Sequence, residues 1–155
     1  MRRLVPFLPL VAAIALLLSG ALESLHFDAS PAAAKEQIVV IEHATTDAVI
    51  DLGDEGDSVG DSLVFSNEVY DSNDASVVGS DQGSCVRTKK GKAWECTFTV
   101  SLDDGSLTVQ GPFYDDGSDS SLAITGGTGN YSGATGQMTL SANGEEEYQF
   151  AFDIN

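Results

Sequence analysis

The feature that most constrains this chain is strict alternation. Trp94, Cys96, Phe98, Val100 and Leu102 are interleaved with Glu95, Thr97, Thr99 and Ser101, a period of two that gives an extended strand one dry face and one wet face. A helix would scatter the same residues around its circumference. Asp104 and Gly105 then read as a two-residue turn. With the turn there, Leu102 faces Leu107, Val100 faces Val109 and Cys96 faces Phe113, so apolar residues meet along the whole hairpin. The pattern recurs near the C-terminus. Met138 and Leu140, then Tyr148, Phe150, Phe152 and Ile154, alternate with polar or small neighbours on either side of Asn143 and Gly144. A three-residue loop with a bulge there sets Leu140 opposite Tyr148 and Met138 opposite Phe150. Further strands are expected over residues 37–44, 62–71 and 83–88, between loops rich in Asp, Gly and Ser. Hairpins with a single apolar face close most naturally into an antiparallel barrel or a sandwich.

Cys85 and Cys96 flank the Lys89, Lys90, Gly91, Lys92 turn. A symmetric turn centred between residues 90 and 91 sets the two cysteines opposite each other, within the reach of a disulfide. That bond is expected in an exported chain. The other reading is a pair of reduced thiols.

Residues 1–34 read as a targeting segment to be set aside before fold reasoning. Arg2 and Arg3 precede an apolar run, and small-residue sites follow at Ala21 and at Ala34. The run is shorter than the roughly 20 residues that span a bilayer, so cleavage after Ala34, export, and no stable membrane insertion afterwards are expected, with residues 35–155 as one domain. An uncleaved anchor is the alternative. The net charge of −17 stays with that domain, because the segment removes two charges of each sign. Seven Lys and Arg against 24 Asp and Glu cannot neutralise a row of phosphates, so nucleic acid is excluded as a partner. Two cysteines and two histidines argue against a zinc centre, and no metal or cofactor is assigned.

Residues 122–140, LAITGGTGNYSGATGQMTL, resemble the glycine-rich hallmark of the plant allene oxide cyclases. VQGPF over residues 109–113, FSNEVYD over residues 65–71 and GSCV over residues 83–86 resemble further blocks of that family, in the family's order. Together the resemblance spans residues 37–155. It implies an all-β, eight-stranded antiparallel up-and-down barrel, shared with the dirigent proteins, that assembles as a homotrimer around apolar interiors and binds a small hydrophobic molecule. On this reading Gly126, Gly127 and Gly129 reverse the backbone, and Gly133 and Gly136 allow close approach at a barrel corner. A phosphate-cradling loop is the rival reading of these glycines; no Lys follows them and no helix opens there.

In that family a strained fatty-acid epoxide opens to a delocalised cation and closes to a cyclopentenone, and the protein acts by positioning and charge placement. The resemblance carries the glutamate that assists cation formation onto Glu42, the asparagine that holds a water onto Asn67, the cysteine near the reacting double bonds onto Cys85, and an apolar wall residue onto Phe65. Trp94 and Phe113 are added as cavity-shaping residues. Two departures stand out: Phe113 replaces a family tyrosine, and residues 44–50, ATTDAVI, lack the short Ser, Pro segment that completes the family's water site. A disulfide would also remove the Cys85 thiol from chemistry.

The expected activity is therefore an isomerase or stereocontrolling cyclase, with a non-catalytic lipophile carrier or a structural barrel as alternatives. Convergence of Glu42 and Asn67 on a cavity of about 300 Å³ or more suits the first two; a filled interior suits the third. Two acidic loops, Asp51, Asp54, Glu55, Asp57 and Asp61 in one and Asp115, Asp116 and Asp119 in the other, lack the spacing of a calcium-binding EF-hand.

Overall fold

The computed structural model describes residues 36–155, so the expected targeting segment lies outside the described residues. Ten strands form one antiparallel sheet: β1 (Glu36–His43), β2 (Ala48–Ile50), β3 (Ser62–Phe65), β4 (Glu68–Tyr70), β5 (Val77–Lys89), β6 (Ala93–Leu102), β7 (Gly105–Tyr114), β8 (Ser120–Gly127), β9 (Gly136–Gly144) and β10 (Glu147–Ile154). β3 and β4 both pair with β5, and β4 pairs with β1, so the two short strands act as one interrupted stave. The pairing of β5 with β6 closes the ring. The result is the expected eight-stranded antiparallel barrel, with β2 added on the outside of β3. Closure leaves no long unpaired edge in the ring. Among the described residues no helix is long and apolar enough to cross a membrane.

The alternating residues set the lining. Val100, Leu107, Val109, Met138, Phe150 and Phe152 are fully buried inside the barrel, each contributing about 1.5–3 kcal/mol by leaving water. Both expected hairpins form, but the pairing in each is shifted by two residues from the expected register. Val100 pairs with Leu107 and Trp94 with Phe113, and the β6–β7 turn falls on Asp103 and Asp104. Leu140 pairs with Phe150 and Met138 with Phe152, and the β9–β10 turn falls on Glu145 and Glu146. A two-residue slip keeps every side chain on its own face. The apolar pattern therefore fixes the faces and leaves the turn free to move.

The glycine-rich segment forms the end of β8, a single 3₁₀ turn over Gly129–Tyr131 and the start of β9. Gly136 does what was expected at a corner: a Cβ there would lie 2.0 Å from the Asp153 carbonyl oxygen. Gly126 does not; it continues β8, and a Cβ would meet open space.

The expected cross-strand disulfide is present. Cys85 pairs with Cys96 across β5 and β6, and their sulfurs are bonded. Both lie inside the core. Closing a loop with a sequence separation of 11 residues restricts the unfolded chain. Replacing both cysteines by serine is therefore expected to cost roughly 3 kcal/mol and to lower the thermal midpoint by about 10 °C, read by calorimetry; an unchanged midpoint would contradict this.

Candidate functional site

The interior void is lined on one side by acids and on the other by aromatic rings. β1 runs its inward positions through Ile38, Val40 and Glu42, so the glutamate sits in the row that otherwise carries aliphatic residues. It is 6% exposed and faces the void beside Asp47, Phe65, Phe113 and Tyr148. Its carboxyl points into the barrel, as the resemblance implied.

Asn67 lies in the break between β3 and β4. The break is bridged by a backbone pair, Asn67 N–H to Asp81 O at 3.1 Å and Asp81 N–H to Asn67 O at 2.9 Å. This aims the Asn67 side chain inward, where Nδ2 donates to Glu42 Oε1 and to Asp47 Oδ1, both at 2.8 Å. Its Oδ1 accepts from the Thr46 backbone N–H and hydroxyl, each at 2.9 Å. Two donors and two lone pairs are then all engaged. The expected role of Asn67 therefore changes: it clamps two acids instead of holding a water.

Behind Glu42 lies Asp81, fully buried on β5. Asp81 Oδ1 accepts from the Asn67 backbone N–H at 3.1 Å, while Oδ2 is buried without a hydrogen-bond donor among the described residues. A proton on Glu42 supplies that donor. Burial, then the charge of Asp81, then a hydrogen bond to it push the Glu42 carboxyl up to about 9. Burial also raises Asp81, to about 6, with the Glu42 hydrogen bond pulling the other way. The pair shares one proton at neutral pH, Glu42 carrying it. A raised Glu42 carboxyl beside Asp81 differs from the bare negative charge that the resemblance carries onto this position.

The aromatic side is built by β3, β6, β7 and β10. Phe65 meets Phe98 edge-on with ring centres 5.6 Å apart, and Phe113 meets Tyr148 edge-on at the same distance. Burial, then Glu42 and Asp47, raise the Tyr148 hydroxyl, which therefore stays protonated. Phe65 and Phe113 line the void as expected. Trp94 does not. It lies at the end of the barrel under the Arg87 guanidinium, 3.8 Å from ring centre to carbon, and its Nε1 donates to Asp115 Oδ2 at 3.1 Å. Cys85 lines the void, but as half of a disulfide it has no thiol to offer, and its proposed catalytic role is withdrawn on that ground.

The void itself measures about 30 Å³, room for one or two waters, far below the cavity expected. Beyond a wall of Phe113, Leu140 and Tyr148 lies an outer hollow of about 140 Å³. The acidic loops are tied up internally. Asp61 accepts from the backbone N–H of Leu52 and Ser58, Asp57 pairs with Arg87 and Asp116 with Lys92. His43 faces outward, hydrogen-bonded to Asp74 at 2.7 Å and stacked on Tyr70.

Asp81, Asp47 and Tyr148 were not among the site residues expected from the sequence. Asp81 had a signal: it stands four residues before Cys85, hence on the same strand face. Tyr148 had one as well, in the alternation of β10. Asp47 sits outside regular structure and had none.

A family model described as an allene oxide cyclase barrel like domain matches residues 38–153. Among solved structures, the chain is similar to a pyocyanin demethylase, 26% identical, with 77% of this chain and 100% of that one covered and a TM-score of 0.70. It is also similar to AbnU, an exo-specific intermolecular Diels-Alderase, 15% identical over 78% of this chain and 98% of that one, TM-score 0.63. The pterocarpan synthase dirigent protein GePTS1 is 16% identical over 77% of this chain and 86% of that one, TM-score 0.60.

Proposed function

Since the chain belongs to the allene oxide cyclase barrel-like family, we propose that its interior steers the reaction of one small lipophilic, unsaturated molecule, as an isomerase or stereocontrolling cyclase. One observation carries the reading: two carboxyl groups, Glu42 and Asp81, are buried together with no cation beside them. Such a pair lowers stability, and a well-packed apolar pair of similar volume would do as well or better for the fold alone. Strongly shifted acids facing a hollow are the usual mark of chemistry.

The step follows from the geometry. The Glu42 O–H bond breaks as its proton passes to the guest, the guest gains one positive charge, and Asn67 holds the new carboxylate in place; once the ring has closed, the cation gives up a proton to Glu42, which restores the acid and leaves a neutral isomer of the guest. Asp81 keeps the proton available beforehand, and the aromatic walls restrict the shapes in which the guest can close. Entry requires Phe113 and Tyr148, both half-buried, to turn aside and join the void to the outer hollow. A steering role for this barrel is supported by the Diels-Alderase and the pterocarpan synthase dirigent protein that share its fold.

Export belongs to the same proposal, supported by the disulfide and the apolar amino-terminal run. So does the homotrimer, for which Ile50, Val64 and Val86 offer exposed apolar surface.

The test is product chirality. A short-lived allylic epoxide generated beside the purified protein should close with one enantiomer in excess, and Glu42→Gln should abolish that excess. A racemic product from the native protein would overturn the reading. It would instead favour a purely structural barrel, in which the 30 Å³ void stays closed to any guest.

A further inference from the structure

The void has a chemical preference that neither the fold nor the relatives specify. Five aromatic rings face it, those of Phe65, Phe98, Phe113, Tyr148 and Phe150, together with the carboxyls of Glu42 and Asp47. None of the residues lining it carries a positive charge. Ring faces attract cations through their quadrupoles, by roughly 2 kcal/mol when water is excluded. Asp47 on the same void adds to that attraction, and so does Asp81 behind Glu42. Resting on the proposed function above, we infer that the guest is held as an organic cation with a flat, apolar body, and that guests bearing a carboxylate are refused.

This separates the chain from the family whose motifs it shares. A fatty carboxylate, the guest which the resemblance implies, would bring a further negative charge to Asp47 and Asp81 with no Lys or Arg among the lining residues to receive it. The size also points to ring compounds. An apolar cavity of about 150 Å³ admits one benzene-sized ring; the outer hollow behind Phe113 and Tyr148, lined also by Asp115 and Ser118, is about 140 Å³. Joined to the inner void, it suits one or two fused rings.

The acids make the preference measurable in a second way. Glu42 is faced by Asp81 from β5, by Asp47 from the loop after β1, by the Tyr148 hydroxyl from β10 and by the Asn67 amide. A permanent cation, which has no site to accept the Glu42 proton, favours the ionised form of Glu42, so its binding should release protons into solution at neutral pH. A neutral ring should expel none.

The experiment uses the full chain and three probes of one shape: N-methylquinolinium, quinoline at a pH where it is neutral, and quinoline-4-carboxylate. Calorimetric titration should give the cation at least a tenfold lower Kd than quinoline, and no binding of the carboxylate. Repeating it in buffers of different ionisation enthalpy should show the released proton, absent in Glu42→Gln. Asp47→Asn should weaken the cation about fivefold and leave quinoline unchanged. Asp54→Asn, in an exposed loop, should change neither, which distinguishes the site from the general field of an acidic protein. The preference should survive 0.5 M salt.

Equal binding of cation and quinoline, or binding of the carboxylate, would overturn the inference while leaving a guest-binding interior intact. Binding of none of the three, together with a racemic cyclisation product, would overturn the proposed function beneath it.

Discussion

Replacing Gly83 by valine is expected to leave no folded protein. Gly83 lies on the inward face of β5 between Asp81 and Cys85 and pairs with Phe98 on one side and Phe65 on the other. A Cβ at this position would stand 2.2 Å from the Phe98 Cβ and 2.6 Å from the Thr97 carbonyl oxygen. Those are backbone and near-backbone atoms, so relief requires β5 and β6 to separate where the disulfide joins them. Overpacking a rigid core commonly costs about 1–3 kcal/mol; with two strands to displace, about 4 kcal/mol or more is expected here, a large part of the 5–15 kcal/mol of a typical domain. The aromatic floor is the reason the residue is glycine: Phe65 and Phe98 cross edge-on over the gap a side chain would fill. Gly126→Ala provides the control, because a Cβ there meets nothing. Far-ultraviolet circular dichroism and thermal melts of the two variants should differ completely. A cooperative, native-like melt of Gly83→Val would contradict the packing described.

The contrast between those two glycines also shows how far the sequence can be read. The alternation in β6, β7, β9 and β10 carries each side chain's face, because a period of two survives any slip by two residues. It does not carry turn position, and Asp104–Gly105 and Asn143–Gly144 were outcompeted by neighbouring residues. Gly105 is needed elsewhere, for a close approach to the Thr128 carbonyl oxygen. The pairing of Cys85 with Cys96 was legible because two residues equidistant from a turn must meet. Trp94 was correctly given the inward face, yet strand parity says nothing about height along the barrel, and its height puts it with Arg87 instead of with Glu42. The chemistry of the site was the least legible part. Glu42 and Asn67 were visible as residues, but the state of Glu42 depends on Asp81, 39 positions away in the chain and brought beside it by β4, which pairs with both β1 and β5.

That state makes Glu42→Gln the second large effect, and its sign is opposite for stability and function. The Glu42 pKa is raised in the folded protein, from 4.5 to about 9, so between those values the folded chain keeps a proton that the unfolded chain has lost. Stability contributed by the protonated acid is complete below about pH 4.5, declines as pH rises toward 9 and is flat beyond. Glutamine mimics the protonated acid, donating to Asp81 without a proton to lose. The variant should therefore be the more stable protein at pH 8, by roughly 2 kcal/mol or more, with a flatter profile between pH 5 and 9 and little difference from the native chain at pH 4. Stereocontrol should be gone. A substitution that stabilises the barrel and removes its activity is expected where a strained acid is kept for chemistry.

The most direct measurement is the titration of Glu42 itself, followed by carbon NMR of the folded protein carrying side-chain-labelled glutamate, with the Glu42→Gln spectrum identifying the resonance. A carboxyl still protonated at pH 7 and ionising near 9, with a second inflection near 6 from Asp81, is the predicted result. Ionisation of Glu42 in the ordinary range near 4.5 would mean that the interior holds a solvated carboxylate, and the account of a proton-bearing acid in a closed barrel would be wrong.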